Sequence, residues 1–217
     1  MKKLHISFVL TFTICLSFAQ KGIVVTQQHR SASTDAGVTL TWYITEKSAK
    51  MVMQFRDAKV QNTVTHFIPN TQSAALQIYT EGPVPEGAQK TFFTVPVSTI
   101  KPSPAMQFSR IEVNATGEVK EIMGIKCEKY IITTDLHITE MWVTKQIKYN
   151  LYHYYPYFPD NLPLMGLYHA KIPGVVLSAI TKDLTEKELS RLELVKAEEK
   201  NIPDEVFLVP DEYKSAK

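Results

Sequence analysis

The side chains able to do chemistry are few and scattered. His29, His66, His137, His153 and His169 each lack a second His or Cys within four residues, so none has the close ligand pairing that zinc sites use. Cys127 lies between Lys126 and Lys129, and neighbouring cations lower a thiol pKa. Strand alternation, however, groups Cys127 with Ile125 and Ile131, which gives it the role of a small core hydrophobe. Glu140 falls on one strand face with Leu136, Ile138 and Trp142, where a carboxylate among apolar groups is a candidate acid. It has no recognisable partner group, and the expected role is structural. There is no G-x-S-x-G, no papain-type cysteine and no glycine-rich phosphate loop among the eight glycines, which argues against nucleophilic and nucleotide chemistry. The expectation is a protein that is not an enzyme, with no metal and no cofactor.

The remaining signal is apolar. Trp42, Met51, Met53, Phe55 and Trp142, together with a crowd of aromatics at Tyr149, Tyr152, Tyr154, Tyr155, Tyr157 and Phe158, are suitable walls for an apolar cavity as well as for a core. The candidate ligand-binding residues are Trp42, Met53, Phe55, Trp142, Tyr154 and Phe158. The ligand expected is a lipid or another apolar small molecule. In the alternative reading the tyrosine-rich stretch 149–158 is an exposed contact for another envelope protein, since aromatics anchor interfaces.

The elements that must position these residues read mainly as strands. Val38, Leu40, Trp42 and Ile44 alternate with Thr39, Thr41, Tyr43 and Thr45, the period-two pattern of a half-buried strand. Met51, Met53 and Phe55 repeat it after a turn at Glu46 to Ala49. Further strands are expected at Ile23 to Gln27, Thr63 to Ile68, Ala74 to Thr80, Thr91 to Val95, Met106 to Val113 with a bulge, Ile125 to Thr133, Leu136 to Val143 and Val175 to Ile180. Breakers sit between them, at Gly82, Pro83, Pro85 and Gly87 and at Pro102 and Pro104. Prolines at Pro156, Pro159 and Pro163 limit Ile147 to Pro163 to a short helix or a lid. After Thr185 a capping-box pattern with Glu188 competes with a strand over Leu189 to Ala197, and the strand completes the sheet. The fold class is mainly β (α+β), a single curved antiparallel sheet or incomplete barrel with one or two short helices or a lid.

Residues 1–19 read as a cleavable signal peptide: Lys2 and Lys3, an apolar run from Ile6 to Leu16, then Ser17 and Ala19 before Gln20,. The apolar run is shorter than the ~20 residues of a membrane span. Cleavage discards Cys15, leaving Cys127 without a disulfide partner in the mature chain. It also lowers the basic count from 24 to 22, equal to the 22 acidic residues. A neutral mature chain lacks the basic face of a nucleic-acid binder. The expectation is an exported, periplasmic or alternatively secreted protein, with residues 20–217 as one domain and no integral membrane segment.

The stretch Gly124-Ile125-Lys126-Cys127-Glu128-Lys129-Tyr130, the later Glu140-Met141-Trp142-Val143-Thr144-Lys145 and the ending Phe207-Leu208-Val209-Pro210-Asp211-Glu212-Tyr213 resemble an exported bacterial family, domain of unknown function 4412. That family is similar to the periplasmic lipoprotein carriers LolA and LolB. The resemblance implies an incomplete β-barrel closed over a hydrophobic cavity, a lid over Ile147 to Met165, and a concave face that meets lipid. The carriers' functional arginine has no counterpart here, since neither Arg56 nor Arg110 sits in a matching motif. What is implied is therefore the half-barrel rather than lipoprotein transfer.

Overall fold

The computed structural model describes residues 19–32, 37–56, 63–83, 87–100, 110–149, 151–158 and 174–216. Twelve strands form one curved sheet that does not close into a barrel. They are β1 Ala19–Ser31, β2 Gly37–Thr45, β3 Ala49–Arg56, β4 Val64–Asn70, β5 Ala75–Glu81, β6 Thr91–Pro96, β7 Ile111–Ile122, β8 Ile125–Thr134, β9 His137–Thr144, β10 Val175–Asp183, β11 Glu188–Pro203 and β12 Lys214–Ser215. The order across the sheet is β12-β6-β5-β4-β3-β2-β1-β11-β10-β9-β8-β7. Two meanders, β1 to β6 and β7 to β11, thus meet at the β1–β11 pair. Every pair is antiparallel except β12 with β6.

Local chemistry explains the turns. Thr45 closes the β2–β3 hairpin: its backbone N–H donates to the Ser48 carbonyl at 2.9 Å, and its hydroxyl accepts the Ser48 N–H at 3.0 Å. Past β10 the Asp183 carboxylate accepts from the Thr185 N–H, the Thr185 hydroxyl and the Lys187 N–H. Those bonds hold the carboxyl below its ordinary range, the Thr185 hydroxyl contributing most. They also shape a hairpin turn, with Glu186 at φ 66°, so β11 forms where a capping box competed for a helix. Gly22 in β1 fits against the Ile44 carbonyl; a Cβ there would lie 2.5 Å from that oxygen.

Opposed residues in an antiparallel pair share a face, and the register makes one face the core. Val25, Trp42, Met51, Phe67, Ile78 and Phe93 oppose one another in turn across β1 to β6. On the other wing Leu192, Ala179, Met141 and Tyr130 do the same across β11, β10, β9 and β8. Buried Gln27 ties the wings together, its Nε2 donating to the Val176 carbonyl at 2.6 Å beside the bulges at Val195 in β11 and Leu177 in β10. A 3-10 segment, Leu151–Tyr157, lies against the core with Leu151, Tyr154 and Phe158 buried.

The reverse face of β1 to β6 is covered by the chain after β11. A 3-10 turn, Asp204–Phe207, sets Phe207 against Val24 and Ile202. Tyr213 then packs on Ile68 and Tyr79, and β12 pairs with β6.

The expected strand over Met106 to Val113 starts at Ile111 and continues to Ile122; Met106 and Phe108 lie outside the described residues, as do residues 1–18 of the expected leader. The expected lid, Ile147 to Met165, is described only as far as Phe158, apart from residue 150.

Candidate functional site

On the core face the row Val25, Trp42, Met51, Phe67, Ile78, Phe93 changes from dry to wet. Val25, Trp42 and Met51 are fully buried, Phe67 is 6% exposed, Ile78 is partly buried, and Phe93 is 57% exposed. Phe158 covers the dry end, its ring edge-on to Trp42 with centroids 5.0 Å apart and planes at 86°, a favoured aromatic geometry. The indole Nε1 of Trp42 is buried with no hydrogen-bond partner among the described residues. At the wet end a cleft of about 380 Å³ is lined by Ile78, Phe93, Pro83, Thr63, Thr80 and Lys90, among others.

Of the residues singled out in the sequence, Trp42, Met53 and Phe55 share this face by register. Met53 is partly buried against the core, and Phe55 is exposed. Tyr154 and Phe158 reach the same cluster from the 3-10 segment. Both are buried, so neither is the exposed anchor that the interface reading needs. Trp142 lies on the other face, though it too packs partly buried against the core cluster. It opposes Ser178 and Lys129, on the face opposite Met141, with its ring 4.1 Å from Lys120 Nζ and 5.9 Å from Lys129 Nζ.

Beside Trp142 the reverse face carries a ladder of ion pairs. Glu118 and Lys129 lie 3.2 Å apart, Lys129 and Glu140 3.4 Å, and Glu140 and Lys182 2.9 Å. Lys182 opposes Glu188 on β11. The hydrogen bond from Lys182, reinforced by Lys129, holds the Glu140 carboxyl below its ordinary range. Glu140 is therefore an ionised member of a charge network: Ile131 and Ile180 oppose it across the strands, but its lysine partners outweigh that desolvation and keep it from being the acid its apolar neighbours suggested. Cys127 is fully buried in the core cluster, and burial raises its thiol pKa against the pull of Lys120, as a core cysteine requires.

The face of β1 to β6 covered by the chain after β11, a strap from Asp204 to Ser215, holds a polar cluster that sequence spacing does not reveal. His66 stacks on Tyr79 with centroids 4.3 Å apart and planes 3° apart. Its Nε2 lies 3.1 Å from a Glu81 oxygen, and buried Lys50 donates to the Tyr79 hydroxyl at 2.9 Å. Burial, helped by Lys50, lowers the His66 pKa to about 4 despite Glu81, and burial raises that of Tyr79. These residues are far apart in sequence, and no motif joins them.

A histidine with a depressed folded pKa binds its proton in the unfolded chain first. Its contribution is therefore complete above pH 6.5 and is lost as pH falls towards 4. Roughly 1–2 kcal/mol of stability is expected to disappear between pH 7 and 4.5 through His66 alone. Urea midpoints of the native chain and His66→Gln at both pH values check this: the variant should lose less, and an equal loss in both chains would exclude His66 as the cause.

Among the described residues no group of three or more His, Cys, Asp or Glu side chains is placed to hold a metal ion. No helix among them is long and apolar enough to cross a membrane.

A family model described as "Domain of unknown function (DUF4412)" matches residues 27–213. A search of curated proteins finds no match. Among solved structures, an uncharacterised conserved protein from Thermus thermophilus is similar with a TM-score of 0.51 at 12% identity, covering 91% of each chain. PNGF-II is similar with a TM-score of 0.48 at 13% identity; the match covers 90% of this chain but only 31% of PNGF-II. A putative outer membrane lipoprotein-sorting protein domain from Vibrio parahaemolyticus has a TM-score of 0.33 at 9% identity, covering 82% of this chain and 85% of that one. At 12% identity the likeness to the Thermus thermophilus protein concerns the fold alone.

Proposed function

The chain belongs to the DUF4412 family, and from that premise we propose that it is a non-enzymatic, exported binding protein holding an apolar ligand such as an acyl chain on the core face of its sheet. The observation that carries this reading is the row from Trp42 to Phe93, which runs without a polar side chain from beneath the 3-10 segment into an open cleft. A cleft of about 380 Å³ lies within the ~300–1,000 Å³ range of small-molecule sites. An acyl chain laid along the row gains about 0.8 kcal/mol for each methylene it buries. Residues 151–158 form a cover suited to yielding: among the described residues no main-chain hydrogen bond joins them to a strand, so buried side chains hold them in place. Met53 and Phe55 flank the row, while Trp142 is assigned to the rigid reverse face.

Mass spectrometry of organic extracts of the purified chain, with titration of a fluorescent fatty acid, tests the proposal. Replacing exposed Phe93 by lysine should weaken the probe roughly tenfold, because it places a charge where the chain leaves the row. Phe158→Ala should strengthen probe binding by freeing the cover. A chain that carries no extractable lipid and takes up no probe, with or without Phe158, would defeat the proposal.

A further inference from the structure

The two ends of the sheet are treated differently. At one end β6 is partly capped by the molecule's own β12. At the other, β7 has twelve residues and pairs only with β8 among the described strands. Such an edge offers unpaired N–H and C=O groups to an incoming strand.

Each face of β7 indicates what an added strand would carry. Ile111, Val113 and Val119 are 36%, 41% and 52% exposed. Val113 opposes core Ile132, and Ala115 opposes Tyr130, so this row extends the core face outward and has no apolar cover among the described residues. On the reverse face, signs alternate from strand to strand: Glu188, Lys182, Glu140, Lys129, Glu118. The series stops at β7 on a carboxylate, and Glu112 adds a second. The next strand in this alternation is cationic. A bulge at Thr116 to Glu118, with Gly117 at φ 79°, interrupts the pairing and leaves Ile111 to Ala115 as the regular stretch.

We infer that β7 is a docking edge for an extended segment of a partner protein, a strand of about five residues alternating apolar and basic side chains, added along Ile111 to Ala115. The apolar side chains cover Ile111, Val113 and Ala115, and the basic ones oppose Glu112 and Asn114, the latter next along this face to the Glu118 carboxylate. Glu112 already meets Arg110, an exposed side chain that an incoming cation displaces. A second copy of β7 fits less well, since its reverse face contributes Glu112 and Glu118 against a single lysine, Lys120.

Fluorescence anisotropy with a labelled valine–lysine alternating heptapeptide, and with its valine–glutamate counterpart, tests this on the full mature chain. The lysine peptide should bind, at least tenfold tighter than the glutamate peptide and more weakly as salt rises. Val113→Lys and Glu118→Lys, both at exposed sites, should each lower that affinity about tenfold with circular dichroism and fatty-acid uptake unchanged, and Glu118→Lys should improve binding of the glutamate peptide. Equal binding of the two peptides, or binding indifferent to both variants, overturns the inference. So does a concentration-dependent dimer abolished by Val113→Lys, which assigns the edge to a second copy.

Discussion

Replacing Trp42 by alanine is expected to lower stability by about 3–5 kcal/mol, the range for truncating a large buried aromatic. The indole is 1% exposed. It sits between Val25 and Met51 across three strands and under the Phe158 ring, so the space it leaves has the hydrogen-bonded sheet as a floor that cannot close in, and only the Phe158 side of it can settle. Domains are commonly stable by only ~5–15 kcal/mol, and the variant should lie close to its unfolding transition at room temperature. Trp42→Phe makes the comparison sharp. It loses part of the ring, but it also removes an indole N–H that has no hydrogen-bond partner among the described residues, a group whose unpaired burial costs about 1–3 kcal/mol. The phenylalanine variant should therefore stay within ~1–2 kcal/mol of the native chain. Urea unfolding of the three chains checks this; equal losses from Ala and Phe would mean that the N–H does find a partner.

That N–H also bears on the cover. Phe158 meets the Trp42 ring edge-on at 5.0 Å, and this contact joins a strand held by two hydrogen-bonded neighbours to a segment held by side chains. Loss of Trp42 acts on the sheet and the cover together, whereas loss of Phe158 acts first on the cover. The 3-10 segment is therefore expected to exchange its amides before β1 to β3 do, which native-state hydrogen exchange checks.

How much of this was legible in the sequence depended on where each residue lies. The alternation in Val38 to Thr45 marks Leu40, Trp42 and Ile44 as core, and all three are buried, because β2 is a central strand that turns this face to the main core. In β9 alternation was ambiguous. Ile138 and Trp142 on one face compete with Met141 and Val143 on the other, and only the register with β10 places Met141 on the core side. The second half of β7 gave no signal, since Asn114 to Glu121 is mostly polar, with only Ala115 and Val119 apolar, and mostly exposed, as an edge strand can be,. The Glu140 network was hidden because its partners, Lys129 and Lys182, come from neighbouring strands. The His66 cluster was hidden for the same reason, as Lys50, Tyr79 and Glu81 converge only through strand pairing. Family likeness, rather than periodicity, drew attention to Phe207, Pro210 and Tyr213, and their role is visible only once the strap is seen crossing the sheet.

Tyr213→Ala is expected to cost about 3 kcal/mol where the strap unfolds together with the sheet. Its ring lies 4.7 Å from that of Tyr79 and its hydroxyl donates to the Thr80 carbonyl at 3.2 Å. The next residues bind the edge through Lys214 N–H to the Lys90 carbonyl and Ala216 N–H to the Phe92 carbonyl. The ring thus fixes the point from which two main-chain bonds reach β6, and without it those bonds must bear the ordering entropy of the strap alone. A strap that detaches before the sheet unfolds sets a ceiling on the measured loss, equal to its own docking free energy. Native-state hydrogen exchange separates the cases: with Tyr213→Ala, β6 amides should lose protection while those of β1 to β3 keep most of theirs. Tyr213→Phe, which loses only the hydroxyl bond, should cost about 1 kcal/mol and leave β6 protected. Uniform loss of protection across all strands in Tyr213→Ala would instead make the strap part of the global folding unit. Retained protection in β6 would show that β12 holds the edge without its tyrosine anchor.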